Sequence, residues 1–173
     1  MTGNARTVHR RIVTGHVGGK AVVLADEQRK SYAFGSLDGL EHAYVWKTES
    51  FEECSPSELD AEVVRSAMPA VGGSVFHILT LPPKDAVPTS GEALVAENLK
   101  RLPDLANRFE ADGMHFTETT DYAIVLDGTP TLELDDGKAV ELGRGDTVIQ
   151  QGTRHGWRNN SSAQAVLAII LLG

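Results

Sequence analysis

Between residues 113 and 159 the sequence places two of its six histidines and the Asp121 carboxylate in two patterned stretches. His115 is followed by Thr117 and Asp121, and later by Gln150, His155, Trp157 and Asn159. Two imidazoles and a carboxylate are side chains that can hold a divalent cation with open positions or move protons near neutral pH. In an extended strand, residues two apart share a face, so His115 looks the same way as Thr117, and His155 the same way as Trp157 and Asn159. Tyr122 alternates with Asp121 and faces the other side, which favours packing over catalysis. Trp157 lines a cavity or fills a core. Gln150 offers an amide to a substrate or holds a strand edge. His77, in the run Val75 to Leu79, either points inward as a proton carrier or is a hydrogen-bonded core histidine, and the second is the plainer reading.

Much of the rest excludes chemistry. Cys54 is the only cysteine, so an intrachain disulfide and a Cys-type structural zinc site are ruled out. Neither Cys54 nor His42 belongs to a Gly-x-Ser-x-Gly elbow or a triad order. Gly18-Gly19-Lys20 reads as a hairpin rather than a phosphate cradle. Sixteen Lys and Arg against 24 Asp and Glu give a net charge of −8. Basic residues adjoin only in isolated pairs such as Arg10-Arg11, with no longer run, so partners with phosphate backbones or anionic lipid are disfavoured and neither nucleic acid nor membrane is expected. The first twenty residues carry no apolar export segment, and the apolar run Ala165 to Leu172 is far too short to span a bilayer. A cytoplasmic protein is expected.

The elements that must position these residues are short, β-branched or alternating segments separated by turn residues. Strands are expected at Val8–Thr14, Lys20–Ala25, His42–Lys47, Ser74–Leu81, Met114–Thr117, Tyr122–Leu126, Thr131–Leu134, Lys138–Leu142, Asp146–Gln150, His155–Arg158 and Gln164–Leu172. Asp136-Gly137 marks a hairpin between two of them. Ser55-Pro56-Ser57-Glu58 starts a short helix running to about Arg65. A second helix spans Ser90 to Arg101, ended by Pro103. No repeat or linker is visible, so residues 1–173 read as one domain, with N-terminal strands and short helices in 1–110 and the motif-bearing half in 111–173.

The stretch from Gly113 to Asn159 resembles the cupins, specifically the small single-domain kind. His115 matches the first His of the cupin His-x-His motif, Thr117 stands in place of the second, Asp121 replaces the Glu, and the six-residue gap to Gly128 is kept. Gly145, Gly152, His155 and Asn159 match the second motif, with Gln150 in its Pro position. The resemblance implies an all-β double-stranded β-helix, a jelly-roll barrel with one or two short helices, and a homodimer joined through its N-terminal strands. It brings His115, Asp121 and His155 together inside the barrel, where they are the implied ligands of Fe, Zn, Mn or Ni. Thr117 is a poor substitute for imidazole, so a metal-free pocket is the competing expectation. The functions implied are a metal-dependent oxygenase, isomerase or lyase acting on a small organic molecule. The alternatives are a metal-free binding barrel and a cyclase or dehydratase of secondary metabolism, in which the histidines move protons.

Overall fold

A computed structural model describes residues 8–50 and 66–173, so the helix expected after Ser55, with Cys54, lies outside the described residues. The strands are β1 (Val8–Val17), β2 (Lys20–Lys30), β3 (Tyr32–Ala33), β4 (Glu41–Thr48), β5 (Ser74–Leu81), β6 (Thr120–Asp127), β7 (Pro130–Glu133), β8 (Ala139–Glu141), β9 (Thr147–Gln151), β10 (Gly156–Asn159) and β11 (Ala165–Leu172). Two helices, α1 (Gly91–Arg101) and α2 (Pro103–Ala106), lie between β5 and β6. A six-stranded antiparallel sheet in the order β3-β4-β5-β11-β6-β9 is accompanied by a three-stranded sheet, β10-β7-β8, and by the β1-β2 hairpin. The architecture is all-β with the cupin arrangement of strands, although the sheets do not close into one continuous ladder.

The apolar positions of each strand explain the layering. Leu81, Val125, Leu167 and Ala165 of the larger sheet and Leu132 of the smaller one form a buried cluster with Leu142, and Trp157 and Ile169 pack against it. β11 is the central strand, paired with β5 on one side and β6 on the other. This is why Ala165 to Leu172 is apolar almost throughout. A second cluster, Phe34, Ala67 and Leu102, seats the helical segment against Tyr32, Leu40, Tyr44 and Leu105. α1 itself buries no residue completely. It is held instead by Glu97, whose carboxylate accepts from the hydroxyls of Tyr32 and Ser36 and from the amides of Gly35 and Ser36.

The expected strands form with two informative departures. Met114–Thr117 is not a strand: only His115 pairs, in an isolated bridge to His155. Gly113, at φ 81°, turns the chain just before it, and the Asp112 carboxylate takes the Met114 amide, so the backbone there is committed to a turn. β1 and β2 run longer than expected, to Val17 and Lys30, around a turn in which Gly18 and Gly19 both have positive φ. Ser90 caps α1 by accepting from the Ala93 amide. Pro103 does not simply end the helical segment, because it occupies the first turn of α2 after a break at Leu102. No helix among the described residues is long and apolar enough to cross a membrane.

Candidate active site in the barrel cavity

The inward faces of the sheets and the inner sides of α1 and α2 enclose a cavity of about 490 Å³. Most of its wall is apolar, including Phe34, Leu79, Leu94, Leu102, Phe109 and Ile169. The sequence-expected residues Thr117, Asp121, Gln150, His115, His155, Trp157 and His77 all line it, and His42 joins them. Tyr122 faces outward and is exposed, as the alternation requires.

His115 and His155 are brought together by backbone. Each amide donates to the carbonyl of the other at 2.8 Å, and the two ring centroids are 4.4 Å apart. Nδ1 of His155 lies 3.0 Å from the Thr153 carbonyl. A carbonyl only accepts, so Nδ1 carries the proton and Nε2 keeps the lone pair in the neutral ring. Gln150 steadies this arrangement, since its side-chain amide donates to the same Thr153 carbonyl at 3.1 Å and to the Thr153 hydroxyl. Gln150 is thus a support for His155. Trp157 stands edge-on to His155 with centroids 6.2 Å apart, and Phe109 covers His115 at 4.4 Å.

Asp121 sits on β6 next to Gln150 of β9. Its Oδ1 accepts from the Thr119 hydroxyl at 2.6 Å, and Thr119 Oγ1 is 2.8 Å from Thr117 Oγ1. One hydroxyl has one proton, so when Thr119 donates to the carboxylate, Thr117 donates to Thr119. Thr117, Thr119 and Asp121 therefore form a buried hydrogen-bonded chain that leads from the loop before β6 into the strand. Thr119 escaped the motif comparison, although its place between Thr117 and Asp121 at a period of two was a usable signal. Asn159 serves the fold: its amide donates to the Pro82 and Ala163 carbonyls, and its oxygen accepts from Ser161.

Burial sets the protonation preferences. It pushes His115 down to about 4, helped by neighbouring His155 and opposed by the Gly113 carbonyl. Burial also lowers His155, against the Thr153 carbonyl and Asp121, which both favour its charged form. The same loss of solvent raises Asp121, while Thr119, His155 and Thr117 pull it down. The imidazoles are therefore biased toward neutrality, beside a carboxyl that is easier to protonate than usual.

These residues do not fit a three-ligand metal centre as they stand. Among the described residues no three His, Cys, Asp or Glu side chains are arranged to hold a metal ion. A hydroxyl at Thr117 replaces an imidazole, and the Asp121 carboxylate is turned to Thr119. Nδ1 of His115 is closed off from solvent and makes no hydrogen bond of ordinary geometry.

Residues 108–171 match the family described as the cupin domain. The chain is a cupin-domain protein. Two relatives of this cupin-domain protein are the phomopsin biosynthesis cluster proteins C′ and D of Diaporthe leptostromiformis, each 54% identical over 131 residues, covering 73% of the chain and 56% of the relative. A third is oryzines biosynthesis cluster protein J of Aspergillus oryzae, 39% identical over 57 residues, or 33% of the chain and 32% of the relative. The chain thus spans little more than half the length of the phomopsin-cluster relatives. Similar solved structures include a cupin 2 conserved barrel domain protein from Salinispora arenicola, with TM-score 0.43, 15% identity and 79% of each chain covered. Another is the polyketide cyclase RemF from Streptomyces resistomycificus, with TM-score 0.42, 16% identity, and 79% of this chain and 66% of that one covered.

Proposed function

We propose that this cupin domain is a small-molecule enzyme that moves a proton on a largely apolar, enolisable organic substrate, in an isomerisation, cyclisation or dehydration step. One observation carries the reading. The Thr153 carbonyl fixes the His155 tautomer and leaves Nε2 as a lone-pair base on a cavity-lining residue near the Asp121 carboxyl. Its relatives are proteins of biosynthesis clusters, which supports a natural-product substrate.

In the proposed step a substrate C–H bond breaks, its proton goes to Nε2 of His155, and its electron pair moves onto the adjacent carbonyl oxygen. Asp121 stabilises the imidazolium, and neutral His115 offers a hydrogen bond from the facing ring. Return of the proton to another carbon, or to a departing hydroxyl, completes the reaction. The apolar walls keep bulk water from the enolate.

Deuterium uptake by 2-tetralone in D₂O tests this. The wild-type protein is expected to accelerate exchange and His155→Ala to abolish the acceleration. Elemental analysis of the same preparation guards against the metal reading. A full equivalent of transition metal that departs together with activity in His155→Ala would replace the proton-transfer assignment.

We also propose self-association through β1 and β2. This hairpin exposes Val8, Ile12, Val17 and Val23, and a two-stranded ribbon is marginal alone. Light scattering should give about twice the chain mass of 18.6 kDa; a monomer at micromolar concentration refutes the pairing.

A further inference from the structure

The cavity holds a second histidine pair that the proton-transfer step does not use. His42 on β4 and His77 on β5 are buried, with His42 Nε2 2.9 Å from His77 Nδ1, and His77 Nε2 lies 3.2 Å from the Ala67 carbonyl. The chain of bonds has one direction. Ala67 offers only an acceptor, so the proton of neutral His77 is on Nε2. His77 then presents a lone pair at Nδ1, which requires the proton of His42 on Nε2. The remaining nitrogen, Nδ1 of His42, is left with a lone pair and makes no hydrogen bond among the described residues, on a side chain that lines the cavity. Tyr44 packs on both rings, at 5.2 Å from His42 and 4.8 Å from His77, so the pair is fixed in place.

This pair is well separated from the proton-transfer end. Asp121 aligns through Leu171 with Val75, two residues along β5 from His77. Two strand spacings and two residues amount to roughly 12 Å between the backbone positions of His77 and Asp121. Ile169 and Ala123 occupy the row between them, giving an apolar stretch of wall.

We propose that His42, held as an acceptor by His77 and the Ala67 carbonyl, is a second substrate-recognition point that takes a neutral hydroxyl, phenol or amide N–H. The substrate class is then an elongate, mostly apolar molecule with an enolisable group at one end and a hydrogen-bond donor at the other. This rests on the proposed function and adds the requirement at the far end. Burial, with the neighbouring His77, holds His42 well below its ordinary value, which keeps the acceptor lone pair available.

The test is calorimetric binding of 2-naphthol against 2-methoxynaphthalene, which differ in the donor, to wild type, His42→Phe, His42→Asn and His155→Ala. Wild type should prefer naphthol about fivefold, the factor from a net neutral hydrogen bond of about 1 kcal/mol. His42→Phe should lose that preference, while His42→Asn, whose amide oxygen falls near the old Nδ1, should keep part of it. His155→Ala should keep it fully while losing deuterium exchange. Nitrogen-15 spectra should show His42 Nδ1 unprotonated and shifted by naphthol, an observation that needs no variant to fold. Equal affinity of the two probes for wild type, or a preference lost in His155→Ala and kept in His42→Phe, overturns the inference while leaving the exchange chemistry standing. If neither probe binds, the inference falls, and exchange of 2-tetralone still decides the proposed function separately.

Discussion

The two histidine pairs of the cavity differ in what their nitrogens touch. In His42–His77 three of four ring nitrogens are spent, two on each other and one on the Ala67 carbonyl. In His115–His155 the rings face each other at 4.4 Å but are joined through their backbones, and only Nδ1 of His155 is spent, on Thr153. A spent nitrogen fixes geometry and a free one does chemistry. In the proposed reading the first pair recognises and the second reacts, although both are histidines in one cavity and both are driven toward neutrality by burial.

The sharpest way to break this distinction is by rate. His155→Ala should lower 2-tetralone exchange by about 10²- to 10⁴-fold, the span of a lost general base. His42→Phe should leave the rate within about tenfold, the ceiling for one recognition hydrogen bond. Comparable losses from both would erase the distinction.

Stability should rank the pairs the other way. His77→Leu strands the Ala67 carbonyl and the His42 Nε2 proton, at about 1–3 kcal/mol for each buried unpaired group. After His155→Ala the Thr153 carbonyl still holds the Gln150 amide, so the unpaired-group penalty is absent. Urea denaturation of both variants checks the order.

Asp121→Asn provides a finer probe. It removes the anion that favours imidazolium, so His155 should titrate still further below its ordinary value. A base works only when neutral, so activity is lost as pH falls through that value. The acid limb of the exchange profile should therefore lie below pH 6.5 in wild type and move lower in the variant. Ring-proton NMR titration would report the same displacement.

The smallest effect concerns the roof. Burial pushes Glu97 up, but hydrogen bonds from Ser36, Tyr32 and the Ser36 and Gly35 amides outweigh it and hold the carboxyl at about 2. A depressed carboxyl stabilises above its ordinary value of about 4.5, and this stabilisation is lost as pH falls toward 2. Amide protection factors in α1, taken against the intrinsic exchange rate at each pH, should fall over that interval, and Glu97→Gln should show lower protection already at pH 7, while protection in β11 is unchanged in both.

What the sequence made legible depended on range. β5 was readable from Ser74 to Leu81 because alternation, β-branching and flanking turns agree there, and the run of helix formers from Glu92 to Lys100 announced α1. The gathering of His115, Asp121 and His155 at one cavity was readable because the motif spacing carries it. The relation of His42 to His77 was not: it depends on how β4 lies against β5, and that register shifts between Tyr44 and Trp46. Met114–Thr117 looked like a strand because composition does not show that Asp112 and Gly113 have already committed the backbone to a turn. Gln150 was read as a ligand or edge residue, and only its closeness to Thr153 reveals it as the support of His155.

The isolated bridge between residues 115 and 155 governs how the site responds to thermal motion. Two reciprocal 2.8 Å bonds close a ring through both backbones, so the histidines are displaced together, as a common mode. On the proposed reading, a substrate meets two imidazoles whose backbones are tied to each other, so the reorganisation left for proton transfer is confined to the side-chain torsions of the two rings.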